Sequence, residues 1–377
     1  MFFYISFLRP PPSQALPSSQ IKLTPQIAND LRTEPFEGSQ DIYFAWQPVT
    51  TGSGLQTTKP TKLTTWRQAN AYKELVVSPP SGVREGQQWR LILTSEPQNL
   101  SIPLHGTTTL GQRPFPVLSM PILFTRQASK SLGKQEQIER IYRFPTLREE
   151  VAMRITEQTS FDLDKKIWDS GIGLSSWLVE MCRDTSETTE NPTVNDLRNK
   201  ILSSEPQRII ELGAGTGIVS LALSALRSAL LSADEQDLII TTDLPSAMPL
   251  LEHNIKINSQ LFSTQVTPLA KVLDWDEDLP QYTEVFGSDL DIIVMADVTY
   301  NTASFPSLIK TMSSLVHLNR SNKPPVILLG YKERDIAERS LWDMARDIGV
   351  QFQQVDQVNG AGGAPIEIWI GSVEPST

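Results

Sequence analysis

From Arg208 onward, short apolar runs alternate with longer stretches of helical spacing, and no other feature of the sequence constrains the fold as tightly. The spacing predicts strands at 209–212, 238–242, 267–273, 290–295 and 326–330, and helices at 217–231, 247–258, 304–317 and 333–348. Alternation of this kind requires crossover connections, hence a parallel sheet with helices on both faces. Strands covered on both faces are continuous apolar runs, as Ile209-Ile210 and Ile292-Ile293-Val294 are. Two further strands, at 350–355 and 366–371, have no helix between them, so one of them is antiparallel. The expectation is an α/β fold: a Rossmann-like seven-stranded sheet with an antiparallel last strand.

Upstream the character changes. Residues 1–40 are rich in Pro, Ser and Gln and read as an extension. The first eight, Met-Phe-Phe-Tyr-Ile-Ser-Phe-Leu, are apolar but have no basic residue ahead of them and no small-residue cleavage site. They read as a segment that docks or flops. Residues 41–134 carry short apolar runs between Gly/Pro turns and read as a small β-rich accessory module without recognisable chemistry. The sheet-bearing domain is expected over 135–377. It opens on a hairpin with arms at 138–144 and 151–157, followed by a helix carrying Leu174, Trp177, Leu178 and Met181 on one face.

Composition narrows the function. A net charge of -10 disfavours non-specific nucleic-acid binding, which needs Lys and Arg to replace phosphate counterions. The single cysteine, Cys182, allows no disulfide within the chain and no zinc-thiolate spacing, and fits a reducing compartment. His105, His253 and His317 lie in no ligand motif, and no stretch is apolar enough to span a membrane. The expectation is a cytoplasmic or nuclear monomer without a metal, a nucleic-acid partner or a membrane partner.

The chemistry concentrates at strand ends. Glu211, Gly213, Ala214, Gly215 and Gly217 fall where the first strand of the alternating region meets its helix. Ligands of open α/β sheets bind at the carboxyl ends of strands, and glycines there allow tight turns and close approach to the backbone. The spacing is G-x-G-x-G with an acid two residues ahead, not the G-x-G-x-x-G of a dinucleotide site. Such an acid suits a ligand bearing ammonium and sulfonium charges. Asp243 ends the second strand, placed either to accept ribose hydroxyls or to cap the next helix. Trp275, in Leu273-Asp-Trp, stands either to stack on adenine or to pack. After the fourth strand, Ala296 leaves room for a base, while Asp297 and Tyr300 either meet a substrate cation or belong to a turn capped by Asn301 or Ser304.

Taken in order, these residues resemble the seven-β-strand protein-lysine methyltransferases that modify translation elongation factors, chaperones and similar targets. The resemblance spans roughly 135–377. It includes the hairpin, the Trp168 segment, Glu211 to Gly217, Asp243, Trp275, Asp297-x-x-Tyr300 and Tyr331-Lys-Glu-Arg334. It implies S-adenosylmethionine as cofactor, bound by Trp168, Glu211, Gly213, Ala214, Gly215, Asp243, Trp275 and Ala296, with Asp297 and Tyr300 at the substrate lysine. Adenine and glutamine methyltransferases of this fold carry Asn-Pro-Pro-Tyr where this chain has Asp-Val-Thr-Tyr. The long N-terminal module is nearest to fungal members acting on elongation factor 2. Three other readings remain: a small-molecule methyltransferase, a cofactor-binding partner protein with little catalysis, and a nicotinamide-dependent oxidoreductase.

Overall fold

The computed structural model of the protein describes residues 1–49, 56–127, 134–160, 162–183, 191–231, 235–279, 289–318 and 323–373. They divide into two units. One comprises Met1–Ile102, Gly111–Tyr142 and Arg154–Asp162, the other Pro103–Leu110, Arg143–Met153 and Leu163–Thr377.

The first twelve strands are β1 (Tyr4–Arg9), β2 (Gln14–Ala15), β3 (Ile21–Ala28), β4 (Ser39–Pro48), β5 (Thr61–Arg67), β6 (Leu75–Val77), β7 (Gln88–Thr94), β8 (Ile102–Pro103), β9 (Val117–Ser119), β10 (Ile122–Phe124), β11 (Gln137–Pro145) and β12 (Glu150–Gln158). β1, β3 and β6 form a three-stranded sheet. The others form a nine-stranded sheet along β12-β11-β9-β7-β10-β2, with β4 and β5 joined through β7 and β8 through β11.

The first forty residues, expected as an extension, thus contribute strands. Their apolar side chains are the reason. Phe2, Ile5 and Ile27 are fully buried, Ile5 pairs with Ile27 across the β1–β3 ladder, and the Phe2 and Tyr4 rings pack on Phe115 at 5.2 and 5.4 Å. Buried Arg140 ties the unit together. It pairs with Glu157 at 2.6 Å and donates to the carbonyls of Pro116 and Ile5. The hairpin arms form as β11 and β12. Although the sequence groups them with the later domain, Ile138 of β11 pairs with Ser119 of β9, so they extend the nine-stranded sheet.

The second unit holds β13 (Arg208–Leu212), β14 (Leu238–Asp243), β15 (Leu269–Val272), β16 (Ile292–Ala296), β17 (Val326–Tyr331), β18 (Val350–Val358) and β19 (Ile366–Val373), in the order β15-β14-β13-β16-β17-β19-β18. β15 to β17 are parallel, and β19 runs antiparallel to both its neighbours. This is the Rossmann-like seven-stranded arrangement expected. Its helices are α1 (Asp169–Arg183), α2 (Pro192–Ile201), α3 (Ile218–Arg227), α4 (Met248–Ile257), α5 (Phe305–Val316) and α6 (Ser340–Asp347). Ile209, Ile210, Ile292 to Met295 and Ile327 to Leu329 are fully buried, which gives these strands a driving force of roughly 1.5–3 kcal/mol per large side chain. Helix α1 lies close on β17 because residue 330 is glycine. A Cβ there would stand 3.0 Å from Leu174 Cβ and 3.1 Å from the Ser170 carbonyl oxygen.

One predicted helix starts late. Residues 333–339 precede α6: the Asp335 side chain caps a 3-10 turn, Ile336–Arg339, at the Ala337 N–H (2.8 Å), and the α-helix begins only at Ser340. Two buried groups complete the picture. Arg227, at the end of α3, pairs with Asp237 where both side chains are fully buried. Cys182 in α1 is 2% exposed, and burial pushes its thiol up to about 12.

Candidate active site

Strands β14 and β15 lead one way from β13 and strands β16 and β17 the other, so the sheet has its switch point at the β13 carboxyl end. The glycine loop follows there. Gly213, Gly215 and Gly217 hold φ of 64, 55 and 80°, a left-handed run that side-chain-bearing residues rarely adopt. The Ala214 N–H donates to the Thr242 carbonyl at 2.9 Å and the Gly217 N–H to the Ala214 carbonyl at 2.8 Å. Asp243 fixes the loop from β14: its carboxylate accepts the N–H groups of Gly215 (2.6 Å) and Leu244 (2.7 Å).

Above this loop opens a cleft of about 270 Å³. Trp168, Glu211, Gly213, Ala214, Gly215, Asp243, Trp275, Ala296, Asp297 and Tyr300 all line it, so every site residue expected from the sequence is brought to one place. Its lining includes six carboxylates (Asp164, Glu211, Asp243, Asp274, Asp276 and Asp297) against one lysine, Lys166. A cleft so charged favours a cationic ligand.

The individual settings refine the expectations. Glu211 turns one carboxylate oxygen toward α3, where it accepts the N–H (3.1 Å) and hydroxyl of Ser220 and the hydroxyl of Thr241 (3.3 Å). Burial nevertheless raises it from the ordinary 4.5 to about 7. Burial also raises Asp243, against the pull of its two backbone donors. Trp275 is partly buried over the loop, its ring 3.3 Å from where a Cβ of residue 213 would stand. Tyr300 is 55% exposed, and its hydroxyl is raised by burial and by the carboxylates of Asp243, Asp164 and Asp297.

Asp297 is buried and held at φ 61°, in the left-handed region although it is not glycine. Arg334 grips it with a two-pronged fork, Nη1 to Oδ1 and Nη2 to Oδ2, the latter at 2.8 Å. The Arg334 guanidinium also stands 5.4 Å from the centroid of the Trp168 ring. Sequence reasoning noted Arg334 only within Tyr331-Lys-Glu-Arg334 and gave it no role. It missed Asp164 altogether. The Asp164 carbonyl oxygen would lie 3.5 Å from a Cβ at residue 215, and its carboxylate accepts the Ser246 hydroxyl at 2.6 Å. No motif signals a residue that reaches the cleft from the short 3-10 turn Leu163–Lys165.

Residues 147–347, more than half of the chain, match the model of a family described as lysine methyltransferase. The chain belongs to the lysine methyltransferase family. It is similar to protein-lysine N-methyltransferase EFM6 of Saccharomyces cerevisiae, 29% identical over 185 residues that make up 47% of this chain and 67% of that protein. Protein-lysine N-methyltransferase EFM2 of the same yeast is 31% identical over 46% of this chain and 39% of its own length. EEF1A lysine methyltransferase 3 of Xenopus tropicalis is 32% identical over 30% of this chain and 44% of its own. In the last two the chain spans less than half of the relative's length.

The cofactor of this family is S-adenosylmethionine, and the cleft suits it. The glycine loop takes a left-handed path past the cleft, and a Cβ at residue 213 would crowd Val298 (3.0 Å) and the Trp275 ring (3.3 Å). The carboxylates oppose a sulfonium and an ammonium, and each Asp243 oxygen has a second lone pair for a ribose hydroxyl beyond the N–H it accepts.

Proposed function

We propose that this protein transfers a methyl group from S-adenosylmethionine to a lysine of a protein substrate, and that the substrate is a translation elongation factor. The supporting observation is the convergence of Glu211, Asp243 and Asp297 on one acidic cleft with Tyr300 exposed beside it. Elongation factor 2 is the favoured target, and the EEF1A named for the Xenopus relative is the alternative.

When bound, the cofactor supplies an electrophilic methyl, whose bond to sulfur breaks as the amine lone pair bonds to carbon. The chain's own residues position and solvate. Asp243 holds the ribose hydroxyls, and Gly213, Ala214, Gly215 and Ala296 let the ligand lie against the backbone. Trp168 and Trp275 flank it. Only roughly a thousandth of a lysine with a pKa near ~10.4 is neutral at neutral pH. The site must therefore strip the amine of water and aim its lone pair. Asp297 accepts an amine N–H and Tyr300 lines the approach, while the proton leaves to water.

The test is labelled methylation of lysates from cells lacking the protein, followed by mass spectrometry of the labelled band. A methylated elongation-factor lysine is expected. Label confined to metabolites would overturn the reading.

Glu211 gives this reading a pH signature. Near its raised value of about 7 the carboxyl is partly protonated in the ligand-free protein. A cation bound beside it favours the ionised form, so affinity should rise with pH up to about 7 and then level. The same burial makes the ligand-free fold less stable as pH rises from 4.5 through about 7. Calorimetric titration at about pH 5.5 and about pH 7.5 should find severalfold tighter binding at the higher pH, and Glu211→Gln should flatten the difference. Equal wild-type affinities at both would contradict this role.

A further inference from the structure

Asp297, at the rim of the cleft, is paired with Arg334, and their geometry assigns the arginine a task. Asp297 keeps a left-handed backbone at φ 61°. Such a conformation persists in a non-glycine residue only when its surroundings over-determine it. Two contacts do so: the Asp297 N–H donates to the Gly330 carbonyl at 3.1 Å, and Arg334 holds both carboxylate oxygens. Arg334 is itself fixed from behind. Its N–H donates to the Glu338 carboxylate at 3.2 Å and its Nη1 to the Lys332 carbonyl at 3.4 Å.

Other charged groups stand around the pair, among them Glu338, whose carboxylate interacts with both Arg334 and Asp297. Lys332 is tied to Asp169 at 2.8 Å, and Lys166 stands 5.3 Å from the centroid of the Trp168 ring. Asp164 and Asp243 face Tyr300. A bare Asp297 carboxylate would hold an incoming lysine in its charged, unreactive form, because an opposite charge nearby raises an amine's pKa. A carboxylate already balanced by a guanidinium still offers lone pairs to an amine N–H but lacks that field.

We infer that Arg334 is a positioning residue that neutralises and orients Asp297, so that the cleft receives its acceptor amine uncharged. The inference rests on the cleft's being the methyl-donor site.

Its test reads the local charge without any acceptor. S-adenosylmethionine and S-adenosylhomocysteine differ by the methyl and by one positive charge at sulfur, so the ratio of their dissociation constants reports the field there. Calorimetry on the full-length protein should show Arg334→Gln raising the preference for the charged ligand on the order of fivefold. Asp297→Asn, which exposes the guanidinium, should lower it by a similar factor. The double variant, which leaves neither member of the Asp297–Arg334 pair without the other, should return toward the wild-type ratio. Where Arg334→Gln does not fold, the contrast between Asp297→Asn and the double variant decides alone. A ratio unchanged across the variants, with both affinities falling together, would reduce Arg334 to a structural part. Failure of the wild-type protein to bind either ligand would overturn the site itself.

Discussion

Asp297→Ala should lower methyl transfer on the order of a hundredfold or more while leaving S-adenosylmethionine affinity within about tenfold of the wild type. The substitution removes a carboxylate that lines the cleft, the one proposed to meet the acceptor amine, and leaves the Arg334 fork without its partner. It leaves Gly213, Gly215 and Asp243, the residues proposed to hold the cofactor, untouched. The backbone adds to the effect. Alanine tolerates φ 61° poorly, whereas asparagine visits the left-handed region more readily and keeps one acceptor oxygen. Asp297→Asn should therefore retain more transfer than Asp297→Ala. The measurement is single-turnover incorporation of labelled methyl into the protein substrate, beside a binding isotherm for each variant. An alanine variant with more than half of the wild-type rate would remove Asp297 from the reaction.

Arg227→Ala should destabilise the sheet-bearing unit by roughly 3–5 kcal/mol, the cost of leaving one member of a buried pair alone. The guanidinium donates to Asp237 through Nη2 at 2.9 Å and to the carbonyls of Ile201 (2.7 Å), Ser203 (3.2 Å) and Glu205 (3.0 Å). Asp237 in turn accepts the Gln207 N–H at 2.8 Å, one residue ahead of β13. One arginine thus closes the end of α3, the chain leaving α2 and the entry to the central strand. Removing it leaves a buried carboxylate uncompensated and takes a donor from four carbonyls, that of Lys200 included. Arg227→Lys should recover only part of the loss, because an ammonium cannot span the fork. In a thermal melt the alanine variant should fall by roughly 10 °C. A fall below about 2 °C would mean that solvent or repacking replaces the pair.

What could be read from the residues alone follows from how local the signals are. The central strands β13, β16 and β17 were legible because strands covered on both faces must be unbroken apolar runs, as Ile292 to Met295 are. The convergence of Gly213, Asp243, Trp275 and Asp297 on one cleft was legible because parallel strands deliver their carboxyl ends to one rim. Arg334 was not assigned, since its partner lies 37 residues earlier and no periodicity links them. The inward turn of Glu211 toward Ser220 was hidden for a similar reason: an acid beside a glycine loop reads equally well as facing ligand or helix. At the amino end, Pro and Ser between Phe7 and Ile21 masked two strands whose partners, β3 and β10, lie on other segments.

The lone thiol in α1 gives the molecule a built-in reporter of its own breathing. With Cys182 buried and its ionisation pushed up to about 12, a maleimide or iodoacetamide can react only in conformers that have opened. Alkylation kinetics of the unmodified chain, followed by intact mass, should therefore measure the opening equilibrium of α1 with no engineered label. Where opening also disrupts the cleft, S-adenosylmethionine should slow those kinetics by a factor that grows with its concentration over its dissociation constant.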